Sequence, residues 1–197
     1  MCLKITDGTH KTPQYVEKGV PFISTVNLVP YASDFNFSKY QKFINEKEHK
    51  ELIKRAKPEK DDLLMAKCGT VGRTQMVKVD YEFSIFVGLM LIKPDKSKVY
   101  PKYLEYYLNQ HIITKLLESL STGATRLTLP INVLKEFEIN LPFINNQPDL
   151  KKQKRIVDKI DELLTDITMG EDKLKEILSD FDTLRQSVLN QSFKGKL

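Results

Sequence analysis

The sequence predicts an α+β protein: a mixed α and β globular domain over residues 1–148, then a long coiled-coil-type helix over 149–197. Three observations carry this. Ile156, Ile160, Leu163, Ile167, Leu174, Ile177, Phe181, Leu184 and Val188 recur at alternating steps of four and three, with Gly170 the one gap and Gln191 closing the series. Such steps keep apolar side chains on one helical stripe, and about five heptads of them make a coiled-coil seam. Upstream, short β-rich apolar runs alternate with helical patterns and are punctuated by Pro and Gly. Charge divides at the same boundary: 149–197 holds ten Lys/Arg and ten Asp/Glu, whereas 1–148 holds 21 and 16, the whole of the net +5.

Taken in order, Ile5–Tyr15 is polar, contains Gly8 and Pro13, and reads as an irregular loop. Gly19–Val26 reads as a short strand. Ser38 is a candidate cap for a helix running to about Lys57, where Pro58 forbids continuation. Asp62–Lys67 reads as a strand, Gly69 and Gly72 bracket a tight turn, and Thr74–Val79 and Ser84–Ile92 follow as strands, the latter apolar enough to be central. Pro101 suits the first position of a helix carrying Leu104, Tyr107, Leu108, Ile112 and Leu116. Ser121–Arg126 is a small-residue loop, Pro130 opens a single helical turn, Phe137–Leu141 is a last strand, and Pro142–Pro148 is a linker. A continuous final helix would span roughly 65 Å at 1.5 Å per residue, too long for one small domain to cover, so its stripe asks for a partner helix. The alternative is a surface helix broken at Gly170 into a hairpin.

Apolar content of 41% supports a real core, and no run approaches the roughly 20 apolar residues of a membrane span. The start Met1-Cys2-Leu3-Lys4 has no signal-peptide apolar region, and Cys2 and Cys68 stand alone without metal or disulfide spacing; the expectation is a cytoplasmic chain. A basic globular part beside a neutral helix hints at a polyanionic partner.

The motifs of common enzyme chemistry do not occur. The sequence has no GxxxxGK[ST], no GxGxxG, no GxSxG and no Asn/Asp-Pro-Pro-aromatic motif of an adenine methyltransferase, and His10, His49 and His111 share no ligand spacing. Asp34 followed by Glu48-His49-Lys50 is the nearest nuclease-like pattern, but it lies in a charge-rich helical stretch where such triplets arise by chance. His10 beside Asp7 is either an acid–base pair or part of a binding loop. Three polar sets suit DNA contact. Lys67, Thr70 and Arg73 surround a glycine turn; Thr125 and Arg126 belong to the small-residue loop; Thr9, His10 and Lys11 make the third. Cations and hydroxyls around exposed turns reach phosphates or base edges, or form merely the charged rim of a hairpin.

The order of motifs resembles the specificity (S) subunit of type I restriction–modification enzymes: one target recognition domain plus one conserved spacer helix. The residues that carry it are ITDGTHKTPQY at 5–15, GVPFIS at 19–24, DLLMAKCGTVGR at 62–73, TGATRLTLPINVLKEFEINLP at 122–142, KKQKRIVDKIDELL at 151–164 and LRQSVLNQSFKGKL at 184–197. The resemblance implies a non-catalytic subunit that reads half of a bipartite site in double-stranded DNA. It also implies docking of methyltransferase (M) subunits and a restriction (R) subunit, which supply S-adenosylmethionine, ATP and Mg²⁺ chemistry, with no cofactor on this chain. Such subunits carry two recognition domains and this chain has one, so it is expected to be a fragment or a half-sized subunit that forms a homodimer through its helix. Only Met1–Lys4 precede the first motif, which is expected to remove an edge strand. The alternative from another class is a coiled-coil adaptor of a defence system; a self-sufficient nuclease comes third.

Overall fold

The computed structural model describes residues 2–38 and 40–194, so the last three residues of the terminal motif, 195–197, lie outside the description. The chain forms two compact units, 1–154 and 155–197. The first is built on an antiparallel sheet of order β1-β8-β5-β6, from β1 (Cys2–Asp7), β5 (Leu63–Ala66), β6 (Thr74–Met76) and β8 (Leu89–Pro94). A smaller sheet has the order β2-β4-β3-β7, from β2 (Tyr15–Val16), β3 (Val20–Ile23), β4 (Phe43–Ile44) and β7 (Ser84–Ile85), with β3 and β7 parallel.

Side chains on a strand alternate between faces, and here both faces of the central strands are covered. Leu64, Ala66, Leu89 and Leu91 pack with Ile23, Leu28, Phe35 and Phe83. Leu63, Met65, Met90 and Ile92 pack on the other side with Leu104, Leu108, Leu117 and Leu134, from α2 (Pro101–Leu108), α3 (His111–Ser119) and α4 (Ile131–Glu136). That double burial is why β5 and β8 read as continuous apolar runs.

Several expectations are corrected. Ile5–Asp7 is not loop but the end of β1, which itself fills the sheet edge expected to be lost. The helix does not start at Ser38. Phe43–Ile44 pairs as β4, and α1 (Glu46–Leu52) is capped by Asn45, whose Oδ1 accepts from the Glu48 N–H at 2.9 Å. Ser84–Ile92 is two strands, because the chain turns at Val87-Gly88 to leave the small sheet and enter the large one. The helix expected through Leu116 is two helices. Asn109 ends α2, its side-chain amide accepting from Thr74 N–H at 3.0 Å and donating to Thr74 O at 2.8 Å, so that it pairs with the edge strand β6. Among the described residues Phe137–Leu141 pairs with no strand. Its apolar residues face the core as a strand's would, but its Asn140 backbone bonds to the hydroxyls of Tyr103 and Tyr107. The linker contains a hairpin, β9 (Phe143–Ile144) and β10 (Gln147–Pro148), turned by Asn145 and Asn146 at φ 47° and 59°. Two positive φ values are the mark of a type I′ turn, which Asn tolerates.

The last helix, α5 (Leu150–Phe193), is continuous for 44 residues, about 66 Å at 1.5 Å per residue. It passes through Gly170 unbroken, so the hairpin alternative is overturned. Ile156 and Ile160 are half-buried; from Leu163 to Val188 the stripe is exposed, between 44% at Ile177 and 64% at Phe181. Leu164 and Leu178, each one residue past a stripe position, widen it. The stripe so exposed fits a coiled-coil seam.

Candidate nucleic-acid interface

Because the large sheet is antiparallel, the end of β1, the end of β5 and the starts of β6 and β8 lie at one edge, and the intervening loops gather there. Thr9 N–H donates to Ile85 O at 3.2 Å and Val87 N–H donates to Thr9 O at 3.0 Å, fastening the loop after β1 to the turn before β8. Lys67 N–H donates to Gly88 O at 2.9 Å, adding the loop after β5. Leu129 N–H donates to Lys67 O at 2.7 Å, and Cys68 bridges Thr128, which adds the loop before α4. All three polar sets expected from the sequence are thus brought to one end of one sheet.

Two glycine features make the assembly possible. At Gly8 a Cβ would lie 2.2 Å from Ile85 O, so only glycine lets β1 cross the β7–β8 turn this closely. Gly69 and Gly72 turn the loop after β5 at φ 77° and 84°, the left-handed region that side chains disfavour.

Under the loops sits Asp7, its side chain 3% exposed. Its Oδ2 accepts from Lys67 Nζ at 2.6 Å and lies 3.0 Å from His10 Nε2, while Arg55, from the turn after α1, pairs with Oδ1 and donates to the Asp7 carbonyl. Burial alone would push this carboxyl up, but the hydrogen bonds from Lys67, Arg55 and His10 outweigh it and hold it down to about 2. Asp7 is therefore an anion pinned among cations, and it joins three segments of the chain.

The candidate side chains separate accordingly. Lys67 is 12% exposed and committed to Asp7. His10 is 65% exposed and leans on Asp7 with one ring nitrogen, leaving its other edge to solvent. Thr9 is half-buried and its hydroxyl closes a turn with the Lys11 backbone. Lys11, Thr70, Arg73, Thr125 and Arg126 are exposed. Among the described residues Lys11 and Arg73 make no ion pair, and Arg126 rests one guanidinium nitrogen 3.1 Å from the buried Cys68 sulfur. What the edge offers is a cluster of exposed cations and hydroxyls, groups whose chemistry suits phosphates and base edges.

Sequence reasoning noted Asp7 only as a neighbour of His10 and missed Arg55, Cys68 and Gly88. Their roles depend on contacts 20–60 residues apart, for which no local pattern exists. The nuclease-like residues do not converge. The Asp34 carboxylate takes the Tyr81 hydroxyl at 2.5 Å, whereas the Glu48 carboxylate takes the Gln14 N–H at 3.2 Å. Among the described residues no group of three or more His, Cys, Asp or Glu is placed to hold a metal ion.

The model of the type I restriction modification DNA specificity domain matches residues 9–179. The chain belongs to this family. The specificity subunit of the type I restriction enzyme EcoBI of Escherichia coli is 28% identical over 144 residues, 73% of this chain and 29% of that subunit. That of StySPI from Salmonella potsdam is 28% identical over 130 residues, 64% of this chain and 26% of the relative. The chain thus spans under a third of the length of each of these relatives. Its fold recurs in a chain from a type I R-M system studied for complex assembly and conformational transition, at TM-score 0.63 and 19% identity, covering 98% of this chain and 44% of that one. It recurs also in the HsdS subunit from Thermoanaerobacter tengcongensis, at TM-score 0.54 and 19% identity, covering 98% and 42%.

Proposed function

We propose that this specificity domain reads one half of a bipartite DNA sequence within a type I restriction–modification complex and performs no catalysis of its own. The observation that carries the reading is the gathering of three cationic, hydroxyl-rich loops at one sheet edge, in a chain of the specificity family. Placed in the major groove, such loops meet a distinct donor and acceptor pattern at each base pair. Lys11, Arg73 and Arg126 serve phosphates and register, which fix position without carrying sequence information.

The exposed stripe of α5 supports the rest of the assembly. Its partner is an equivalent helix, so that two copies form a homodimer with two DNA-reading ends, the helix length fixing the spacing of the half-sites. Methyltransferase subunits dock on the paired helices, and a restriction subunit joins them. S-adenosylmethionine, ATP and Mg²⁺ belong to those partners, and the complex works in the cytoplasm, where its DNA is. No described helix is long and apolar enough to cross a membrane. Affinity of the chain–methyltransferase complex for target DNA, measured from 50 to 200 mM salt, tests the proposal. Contact with several phosphates predicts a steep linear fall of log K with log salt; absence of DNA association would contradict it and leave the adaptor reading.

A further inference from the structure

His10 differs from the exposed cations beside it, because its backbone and one side of its ring are both held. On one side the Thr9 backbone is bonded to Ile85 and Val87; on the other the Thr9 hydroxyl closes a turn with the Lys11 backbone. The ring sets Nε2 3.0 Å from an Asp7 carboxylate oxygen and is 65% exposed, its other nitrogen, Nδ1, left to solvent.

That bond decides what the exposed nitrogen offers. Lys67 and Arg55 hold Asp7 as an anion, so its oxygens accept and never donate. Nε2 must therefore carry the proton. A neutral imidazole has a single N–H, and here it is spent on Asp7, so Nδ1 presents a bare lone pair.

A bare acceptor is selective on DNA. Phosphate oxygens accept and are negative, so they offer it nothing. In the major groove guanine shows the acceptors N7 and O6 and thymine shows O4, whereas adenine and cytosine present their N6 and N4 amino groups as donors. Lys11 and Arg73 carry donors alone and suit the accepting groups; His10 suits the amino groups. A short aromatic side chain held at one nitrogen also arrives pre-oriented, which a base edge requires and a phosphate met by a long flexible cation does not.

Resting on the DNA-reading function proposed above, we infer that His10 reads sequence, its Nδ1 accepting a hydrogen bond from the exocyclic amino group of an adenine or cytosine in the major groove. Asp7 acts on that base through His10, as a positioning residue that sets the tautomer and holds the ring.

The test uses the chain–methyltransferase complex at about pH 8, above the ordinary histidine range. Adenine methylation mapped for wild type defines the half-site. Purified complex is then titrated with duplexes in which each adenine or cytosine of that half-site, one at a time, lacks its amino group. At one position removal should weaken wild-type binding about five- to tenfold, the worth of one hydrogen bond, and should cost His10→Ala nothing. In cells, His10→Ala should methylate sites in which that position is no longer restricted to one base. His10→Gln, which keeps an acceptor, should retain part of the restriction. Both variants should keep the wild-type salt slope. A His10→Ala complex that keeps the full site but loses about 1 from the slope would put His10 on a phosphate and overturn the inference. So would a half-site in which no amino-group removal becomes harmless in the variant. Circular dichroism melts check the fold; should His10→Ala melt early, His10→Phe, a ring without the acceptor, takes its place. If wild type methylates without sequence preference, the DNA-reading function itself fails, and the inference with it.

Discussion

Replacing Asp7 by alanine removes the anion around which the loop edge is built. Its partners are not equally dependent on it. Arg55 and His10, 55% and 65% exposed, can turn into solvent, but Lys67 is 12% exposed and would be left as a nearly buried cation without a counter-charge. Removing one partner of a buried pair costs about 3–5 kcal/mol. With two of its three partners able to turn into solvent, the lower end applies, about 3 kcal/mol. At about 2–4 °C per kcal/mol for a unit of this size, the melting temperature should fall by about 6–12 °C. Removing the orphan as well, by Asp7→Ala with Lys67→Met, should recover part of the loss, since the penalty lies mainly in the unpaired charge. The pH dependence has a definite sign. The folded carboxyl is held below its ordinary 3.8, at about 2, so its contribution is complete above pH 4 and is lost as pH falls from there through 2. The difference in stability between wild type and Asp7→Ala should therefore be constant from pH 7 to 5 and shrink only below pH 4. A melting shift under 2 °C, or a difference already shrinking between pH 7 and 5, would refute the hub.

Further outcomes follow from single positions. Gly8→Ala should destabilise the domain by at least about 2 kcal/mol in urea titration, because the added methyl meets the rigid Ile85 carbonyl rather than a movable side chain. Gly170→Ala should do the reverse, raising helix stability by about 1 kcal/mol by thermal melting, since nothing lies within 4 Å of the new methyl and the helix is unbroken there. Arg73→Ala should lower DNA affinity and reduce the salt slope by about 1, as loss of one phosphate contact requires, measured on the methyltransferase complex; an unchanged slope together with relaxed sequence preference would contradict the phosphate assignment and place it on a base edge.

The long helix was the most legible element, because a 4-3 apolar rhythm over about five heptads has one solution, and the same rhythm named the exposed stripe from Leu163 to Val188. The central strands were legible from their apolar runs, and Pro101 and Pro130 marked helix starts. Where sequence reasoning went astray, a side chain at long range had replaced a local rule. Asn109 ends α2 by bonding to a strand 35 residues earlier, and Tyr103 and Tyr107 supply Asn140 with the partners a neighbouring strand would have given. Asn45 rather than Ser38 caps α1, because Phe43 and Ile44 are drawn into a sheet first. For the loop edge, composition picked out three segments that the fold brings together but not their weld. Lys67, read as a contact to DNA, is spent on Asp7, and Cys68, read as a lone thiol, supports Arg126. Both depend on where residue 7 and residue 126 arrive in space.

If two identical copies of this chain read DNA in the complex, methylated adenines mapped across the genome of cells that contain this chain and its methyltransferase as their only specificity system will record the site. Methylation should fall at a bipartite palindrome: two identical inverted half-sites separated by a fixed spacer, as a two-fold pair of readers imposes. Methylation at an asymmetric site would contradict the paired arrangement, and methylation without sequence preference would contradict the claim that the chain reads DNA.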